Sequence, residues 1–581
     1  MLKKFNKFVF KDFSFYCQSK KFNRLLSRAI TTSNVSQSAQ HDYVVKSPLP
    51  PLNYPKVSID QYIWADYEKW INKVAIVDGI TDRSITYGEL RDKCRALAIR
   101  LRTSFNLQRN DTIALCLPNS IEFPIVALGG SEAELTVTTI NPIYTSEEIS
   151  RQLISSNAKL LFGDVSMSSI FKHAISKAKR NIKIVYVTNS PSESIPADGI
   201  RLSELIETRG LDLMSLPETE RDIDAVSFLP YSSGTTGLNK GVMLSHWNIV
   251  TNSLALRSAE LQLAADTTPD NQDVIPCVLP FFHAYGLVVT LLAKLAQGCK
   301  LVTVPRFHPE TFLSAMEKYP GTALHLAPPM IIFFNNYEKI RPKHTRSIRY
   351  VVSGAAPLGS SDIEKFLKIS PQTQYIQAYG LTEASPVTHM SAKSSTNYAS
   401  IGDPIHDTEC KVVDINDPEF RGLGPNQTGE VLIRGPQIML GYHNNETATK
   451  DTVTSDGWLR TGDIGYHDEQ GNFYITDRLK ELIKVKGFQV APAELEEILR
   501  MHPDIADAAV IGVPNPATGE LPRAFVVAKK GSKISEKSVQ EYVAQRVSDY
   551  KKLAGGVEFV DTIPKNTTGK ILRRELKSRY V

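Results

Sequence analysis

The runs TIALCLP (112–118), KIVYVT (183–188) and AVSFLP (225–230) are short and apolar, and they alternate with segments of helical period such as YGELRDKCRALAIRLR (87–102). A buried parallel strand needs a crossover, usually a helix, to bring the chain back to the same end of the sheet. The alternation therefore predicts layered α/β structure with parallel sheets. After about residue 425 the texture changes to TGEVLIRG, GNFYITDR and AAVIGVP, strands joined by tight Gly and Asn turns. ITDRLKELIKVKG reads as a strand end, a charged hinge and a hairpin, which places a domain boundary within 474–480.

With 581 residues and 42% hydrophobic content, the chain can bury two or more cores. Its net charge of +5 is local, because residues 1–40 carry eight Lys/Arg against the single acid Asp12. That leader is rich in Lys, Ser and Phe and has no uninterrupted apolar core, the composition of a mitochondrial transit peptide. The expected address is mitochondrial, or cytoplasmic if the leader is a plain tail. Six scattered cysteines without a CxxC pair argue against a zinc site or a disulfide framework.

VIPCVLPFFHAYGLVVTLLA (274–293) has the length of a membrane span. Pro276 and Pro280 break its first half and Lys294 follows it, so it reads as a buried strand, a turn at 280–283 and a core helix.

YSSGTTGLNKG (231–241) follows the strand AVSFLP, and Ser245 can cap a helix beyond it. Ser232, Ser233, Gly234, Thr235, Thr236, Gly237 and Lys240 give this loop hydroxyls, open backbone amides and one cation, the parts of a phosphate cradle. Its glycine spacing differs from that of a Walker loop.

The loop resembles the signature of the adenylate-forming superfamily, which includes acyl-CoA synthetases, 4-coumarate–CoA ligases and beetle luciferases, with Asn239 in place of the usual proline. Further motifs follow in the family's order: LPFFHAYGL (279–287), SGAAPLG (353–359), QAYGLTEASP (377–386), WLRTGD (458–463), DRLKELIKVKGFQVAPAELE (477–496) and PKNTTGK (564–570). The resemblance covers roughly residues 50–581. It implies a large N-terminal domain (45–477) of layered α/β subdomains with a small β-barrel-like part, and a small mobile α+β C-terminal domain (480–581).

It also implies an ATP-dependent acid–CoA ligase using ATP, Mg²⁺ and CoA. A carboxylate attacks the α-phosphate to give acyl-AMP, and the CoA thiol then displaces AMP. Both reactants of the first step are anions, so cations and oriented dipoles must bring them together. By resemblance Lys570 is the principal catalytic cation, joined by Lys240, Thr236 and His283, and Glu383, after Thr382, holds Mg²⁺. Asp463 and Arg478 take the ribose, while Ala355, Gln377 and Ala378 pack the adenine. Lys480 is the hinge, about which the small domain turns to withdraw Lys570 and present Lys484, Lys486, Gly487 and Gln489. Arg306, Lys486, Gly487 and Gln489 contact CoA. His283, Tyr285, Val288, Gly380, Pro386 and Val387 line an uncharged acyl site.

An apolar acid is expected, a medium- or long-chain fatty acid first and an aryl-propenoate second. A luciferase-like oxidative enzyme is the further alternative. Glu134, where relatives often carry a small residue, is expected to disturb local helix packing. No nucleic-acid partner or membrane span is expected.

Overall fold

The computed structural model describes residues 42–580 apart from 191, 217–219, 233–238, 357, 486–487, 517 and 567–568. The expected leader, Ser233, Gly234, Thr235, Thr236, Gly237, Lys486 and Gly487 lie outside the described residues.

The apolar runs form parallel strands. Thr112–Cys116 is buried at every position and lies between Thr136–Thr139 and Leu160–Asp164, with Ile113 opposite both Val137 and Leu160. Lys183–Val187 extends the sheet on one side, and Val226–Phe228 joins it on the other. Strands buried on both faces need no polar alternation, which is why these runs are so continuous in sequence. Tyr87–Thr103 covers the layer as a helix, with Leu90, Cys94, Leu97 and Leu101 buried along one stripe. Thr86 accepts from the Glu89 amide and Glu89 reaches back to the Thr86 amide, a capping box that fixes where this helix starts.

Two further sheets complete the α/β part. Val274–Cys277, Lys300–Thr303 and Val74–Asp78 run parallel, and Ser84–Thr86 adds antiparallel to the last. Ala323–Leu326, Tyr350–Ser353 and Gln374–Gly380 run parallel and turn antiparallel into Val387–Met390. The Gly- and Asn-punctuated region forms an antiparallel sheet of Val45–Lys46, Glu409–Val413, Gly429–Arg434, Leu459–His467 and Phe473–Arg478. Sheet membership changes after Arg478. Ile483–Val485, Phe488–Val490, Ile505–Asn515, Gly519–Ala528 and Val557–Phe559 build a separate sheet with its own core of Leu495, Leu499, Val510 and Val526.

Segment 274–293 folds as a strand, a turn and a helix that opens into π-type winding over Tyr285–Leu292. Asn119 serves the chain between the two prolines, donating to the Cys277 and Leu279 carbonyls and accepting from the Phe281 amide. Among the described residues no helix is long and apolar enough to cross a membrane. Cys94, Cys116, Cys277, Cys299 and Cys410 are buried free thiols. Glu134 does not disturb helix packing. It sits beyond the helix Glu122–Glu132 at φ +59°, ion-paired to Arg109 and Arg221.

Candidate active site

Sheet edges, one hairpin and the tail loop surround a cavity of 1080 Å³. Tyr231 and Ser232 pair antiparallel with Gly241 and Lys240, the described residues on either side of the glycine-rich stretch. Ser245 then caps the helix His246–Ala255. Ser232 and Lys240 stand in the cavity wall, as do Thr382 and Glu383. Asn239, in the family's proline position, donates to the Tyr144 hydroxyl at 2.9 Å, a tether that proline could not supply.

Glu383 is held by two hydroxyls. Ser232 Oγ and Tyr442 Oη each donate to its Oε1 at 2.9 Å. The Lys240 ammonium lies 4.8 Å from the centroid of the same Tyr442 ring, a cation–π distance. Among the described residues no cluster of three His, Cys, Asp or Glu could hold a metal. A lone carboxylate beside a phosphate loop suits Mg²⁺, which keeps waters and takes substrate phosphates as ligands.

Tyr442 escaped the sequence reading because it lies far along the chain from each partner, and a Gly-Tyr pair carries no signal by itself. Tyr442→Phe is expected to keep the ring over Lys240 and lose the bond to Glu383. A hydrogen bond to a charged group is worth about 2 kcal/mol, so KM for MgATP should rise roughly thirtyfold with little change in kcat. Steady-state kinetics over a Mg²⁺ titration would check this, and an unchanged KM would show that Glu383 needs no help.

At the other end of the cavity, His283, Tyr285, Ala378, Gly380, Pro386 and Val387 form the wall with Phe282 and Gly354. His283 Nδ1 accepts from the Tyr285 amide at 3.3 Å, so the assigned tautomer carries its proton on Nε2. Burial lowers the His283 pKa to about 4, leaving a neutral N–H donor at physiological pH. Ala355 also lines the cavity and holds a left-handed φ of +75°.

Asp463 and Arg478 are cross-strand partners, with Arg478 Nε 2.9 Å from Asp463 Oδ1. Tyr379 donates its hydroxyl to Asp463 Oδ2, so both carboxylate oxygens are engaged just behind Thr461 and Gly462 of the wall. The Asp463 charge raises the Arg478 pKa. Lys480 and Lys570 enter the same cavity from the C-terminal part, beside Arg478. Desolvation, then the Arg478 charge, lowers the Lys570 pKa. The Lys570 amide donates to Asn566 Oδ1, which shapes its loop. Gly569 (φ +82°) packs so closely on Pro329 that a Cβ would lie 2.3 Å from the proline ring, so only glycine lets the tail loop dock there.

Several expected positions lie elsewhere. Val288 is fully buried in the main core rather than facing the acid, because π-type winding turns it away from the side Tyr285 presents. Gln377 is not at the cavity wall; its Oε1 accepts from the Tyr375 hydroxyl. Residues two apart share a strand face, so Gln377 goes with Tyr375 rather than with Ala378. Lys484, expected on the hairpin presented after the turn that withdraws Lys570, is exposed on Ile483–Val485, and Arg306, expected at CoA, is exposed after Lys300–Thr303; neither is a wall residue of this cavity. Gln489 is the backbone partner of Lys484 on Phe488–Val490.

Comparison with known proteins gives one consistent family. The model of the AMP-binding enzyme family matches residues 63–443, and that of the AMP-binding enzyme C-terminal domain matches residues 494–570. A 4-coumarate-CoA ligase 1 from Narcissus pseudonarcissus is 37% identical over 551 residues, covering 93% of this chain and 97% of that protein. A peroxisomal OPC-8:0-CoA ligase 1 from Arabidopsis thaliana is 36% identical over 538 residues, covering 92% and 95%. Among solved structures, ATP-bound MatB from Rhodopseudomonas palustris superposes with a TM-score of 0.80 at 25% identity, covering 90% of this chain and 98% of that one.

Proposed function

Because this chain belongs to the AMP-binding enzyme family and is an acid–thiol ligase working with ATP, Mg²⁺ and CoA, we propose that its acid is a flat, apolar carboxylic acid of the aryl-propenoate class. The supporting observation is the shape of the acyl end. Gly354, just past the end of Tyr350–Ser353, and Ala378 and Gly380, on the neighbouring strand, offer backbone and at most a methyl, while Phe282 and Tyr285 supply rings in the same cavity. A slot of that kind favours a planar conjugated acid. The names of the 4-coumarate ligase relatives point the same way. A medium-chain fatty acid is the second reading, supported by the apolar cluster of Leu261, Val289 and Ile376 packed with Tyr285 and Val387 behind that wall.

The acid lies with its carboxylate toward Lys570 and its tail among Phe282, Tyr285 and Val387. A carboxylate oxygen bonds to the α-phosphorus, the bond from that phosphorus to the bridging oxygen breaks, and pyrophosphate leaves. Lys570 offsets the repulsion between the two anions, and Lys240 takes charge on the departing pyrophosphate. Neutral His283 donates from Nε2 without adding a charge near the apolar tail. Glu383 would hold Mg²⁺, which would screen the phosphate charges when bound. In the second step the CoA sulfur bonds to the acyl carbon, its proton goes to solvent and AMP leaves.

The test is a panel of acids from acetate to palmitate together with cinnamates, with AMP release measured with and without CoA. Cinnamates should show the highest kcat/KM, with turnover dependent on CoA. A clear preference for alkanoates would replace this reading by the second one.

A further inference from the structure

Asn239 stands immediately before Lys240, at the position where the family's signature carries a proline. Proline fixes its own φ, whereas asparagine leaves the backbone free to sample other conformations, so the chain entering Lys240 lacks a built-in restraint. Lys240 belongs to the wall of the cavity, and a displaced catalytic group costs rate. A replacement restraint comes from a neighbouring helix.

The helix Ser146–Ser155 is bonded to both strands that flank the glycine-rich stretch. At its start Tyr144, next to the N-cap Thr145, accepts the bond from Asn239 Nδ2 at 2.9 Å. At its last residue Ser155 Oγ is hydrogen-bonded to the Tyr231 hydroxyl at 2.5 Å. Tyr231 pairs with Gly241 and Ser232 with Lys240, so the two bonds hold opposite strands of one ladder.

The helix is itself fixed to the central sheet. Gln152 is 4% exposed and donates to Thr138 Oγ1 and to the Thr139 carbonyl, both at 3.0 Å. Ile149 and Leu153 are buried, and Thr145 and Glu148 form a capping box. The Tyr144 amide donates to the Asn141 carbonyl at 3.0 Å, and Tyr144 lines the cavity together with Asn239 and Lys240. At its far end the Lys240 ammonium rests over Tyr442, so the backbone and the charge of this residue are restrained separately.

We propose that Tyr144 is a positioning residue for acyl-AMP formation, acting through Asn239 to fix Lys240 where the departing pyrophosphate develops charge. The proposal rests on the adenylation step given above and is independent of which acid is bound. Pyrophosphate has left before the CoA sulfur attacks, so Lys240 is not needed in the second half reaction. Comparing the two half reactions therefore separates this role from a merely structural one.

The test uses the most active acid of the panel above. Tyr144→Phe and Asn239→Ala should each lower kcat/KM for MgATP in acid-dependent ATP–pyrophosphate exchange by about five- to tenfold, the worth of one hydrogen bond. CoA transfer from preformed acyl-AMP should change less than about twofold in either variant. The double variant should be no slower than either single one, because both remove the same bond. Asn239→Pro restores a fixed φ, so adding Tyr144→Phe to it should cost less than about twofold. Multiplied losses in the double variant, a full loss on the Asn239→Pro background, equal losses in the two half reactions, or wild-type exchange in Tyr144→Phe would each overturn the proposal and leave the adenylation step intact. A wild type without acid-dependent exchange would overturn that step, and this proposal with it.

Discussion

Lys570→Ala lowers acid-dependent ATP–pyrophosphate exchange by about 10³-fold, roughly 4 kcal/mol of transition-state stabilisation, while CoA transfer from preformed acyl-AMP falls less than tenfold. The asymmetry follows from placement. In the structure Lys570 shares a cavity with Lys240, Glu383 and His283, where two anions must meet, whereas Lys484 lies outside it. Equal losses in the two half reactions would contradict this assignment. The pH profile gives a second reading of the same residue. Lys570 acts as an ammonium, and burial with the Arg478 charge lowers its pKa below the usual lysine value. The active form is therefore lost as pH rises through that lowered value, so the alkaline limb of kcat/KM for adenylation should come earlier than an ordinary lysine would give. Lys570→Arg, which stays charged at any accessible pH, should remove the limb whatever activity it retains.

Gly380→Ala destabilises the protein by about 3 kcal/mol and abolishes adenylation in whatever fraction still folds. A Cβ at this position would come within 1.9 Å of the Pro386 carbonyl oxygen and 2.7 Å of its carbon. The obstacle is backbone, so no side-chain rotation relieves it. The strand would have to separate where the Leu381 amide donates to that same Pro386 carbonyl, a bond that sets the turn carrying Thr382 and Glu383. Thermal melting and exchange activity of the variant check both halves. A wild-type melting temperature would show that the strand and the turn can part without loss. Ala378→Gly, two residues earlier on the same strand, serves as control and should cost about 1 kcal/mol or less, the usual backbone effect of glycine in a strand.

The parallel sheets were legible because strands buried on both faces must be apolar at every position, and Thr112–Cys116 is buried throughout. The helix Tyr87–Thr103 was legible from its period and its capping residues. Most of the wall was legible through the family resemblance, since Lys240, Glu383, Arg478 and Lys570 belong to motifs. Two kinds of information were not. Facing could not be read where the winding departs from the regular period, which is why Val288 went to the core. Partnership across long separations could not be read either: Tyr442 meets Glu383, and Tyr379 meets Asp463, through sheet register and turn geometry that no local pattern encodes.

Near Lys570, Gly569 packs against Pro329, where a Cβ would lie 2.3 Å from the ring. Whatever lowers the barrier to making a mixed anhydride lowers the return barrier equally, so a fixed ammonium would hasten the product back toward ATP. A turn of the C-terminal part about Lys480 would take that charge away once the anhydride exists, and so give the cycle a direction.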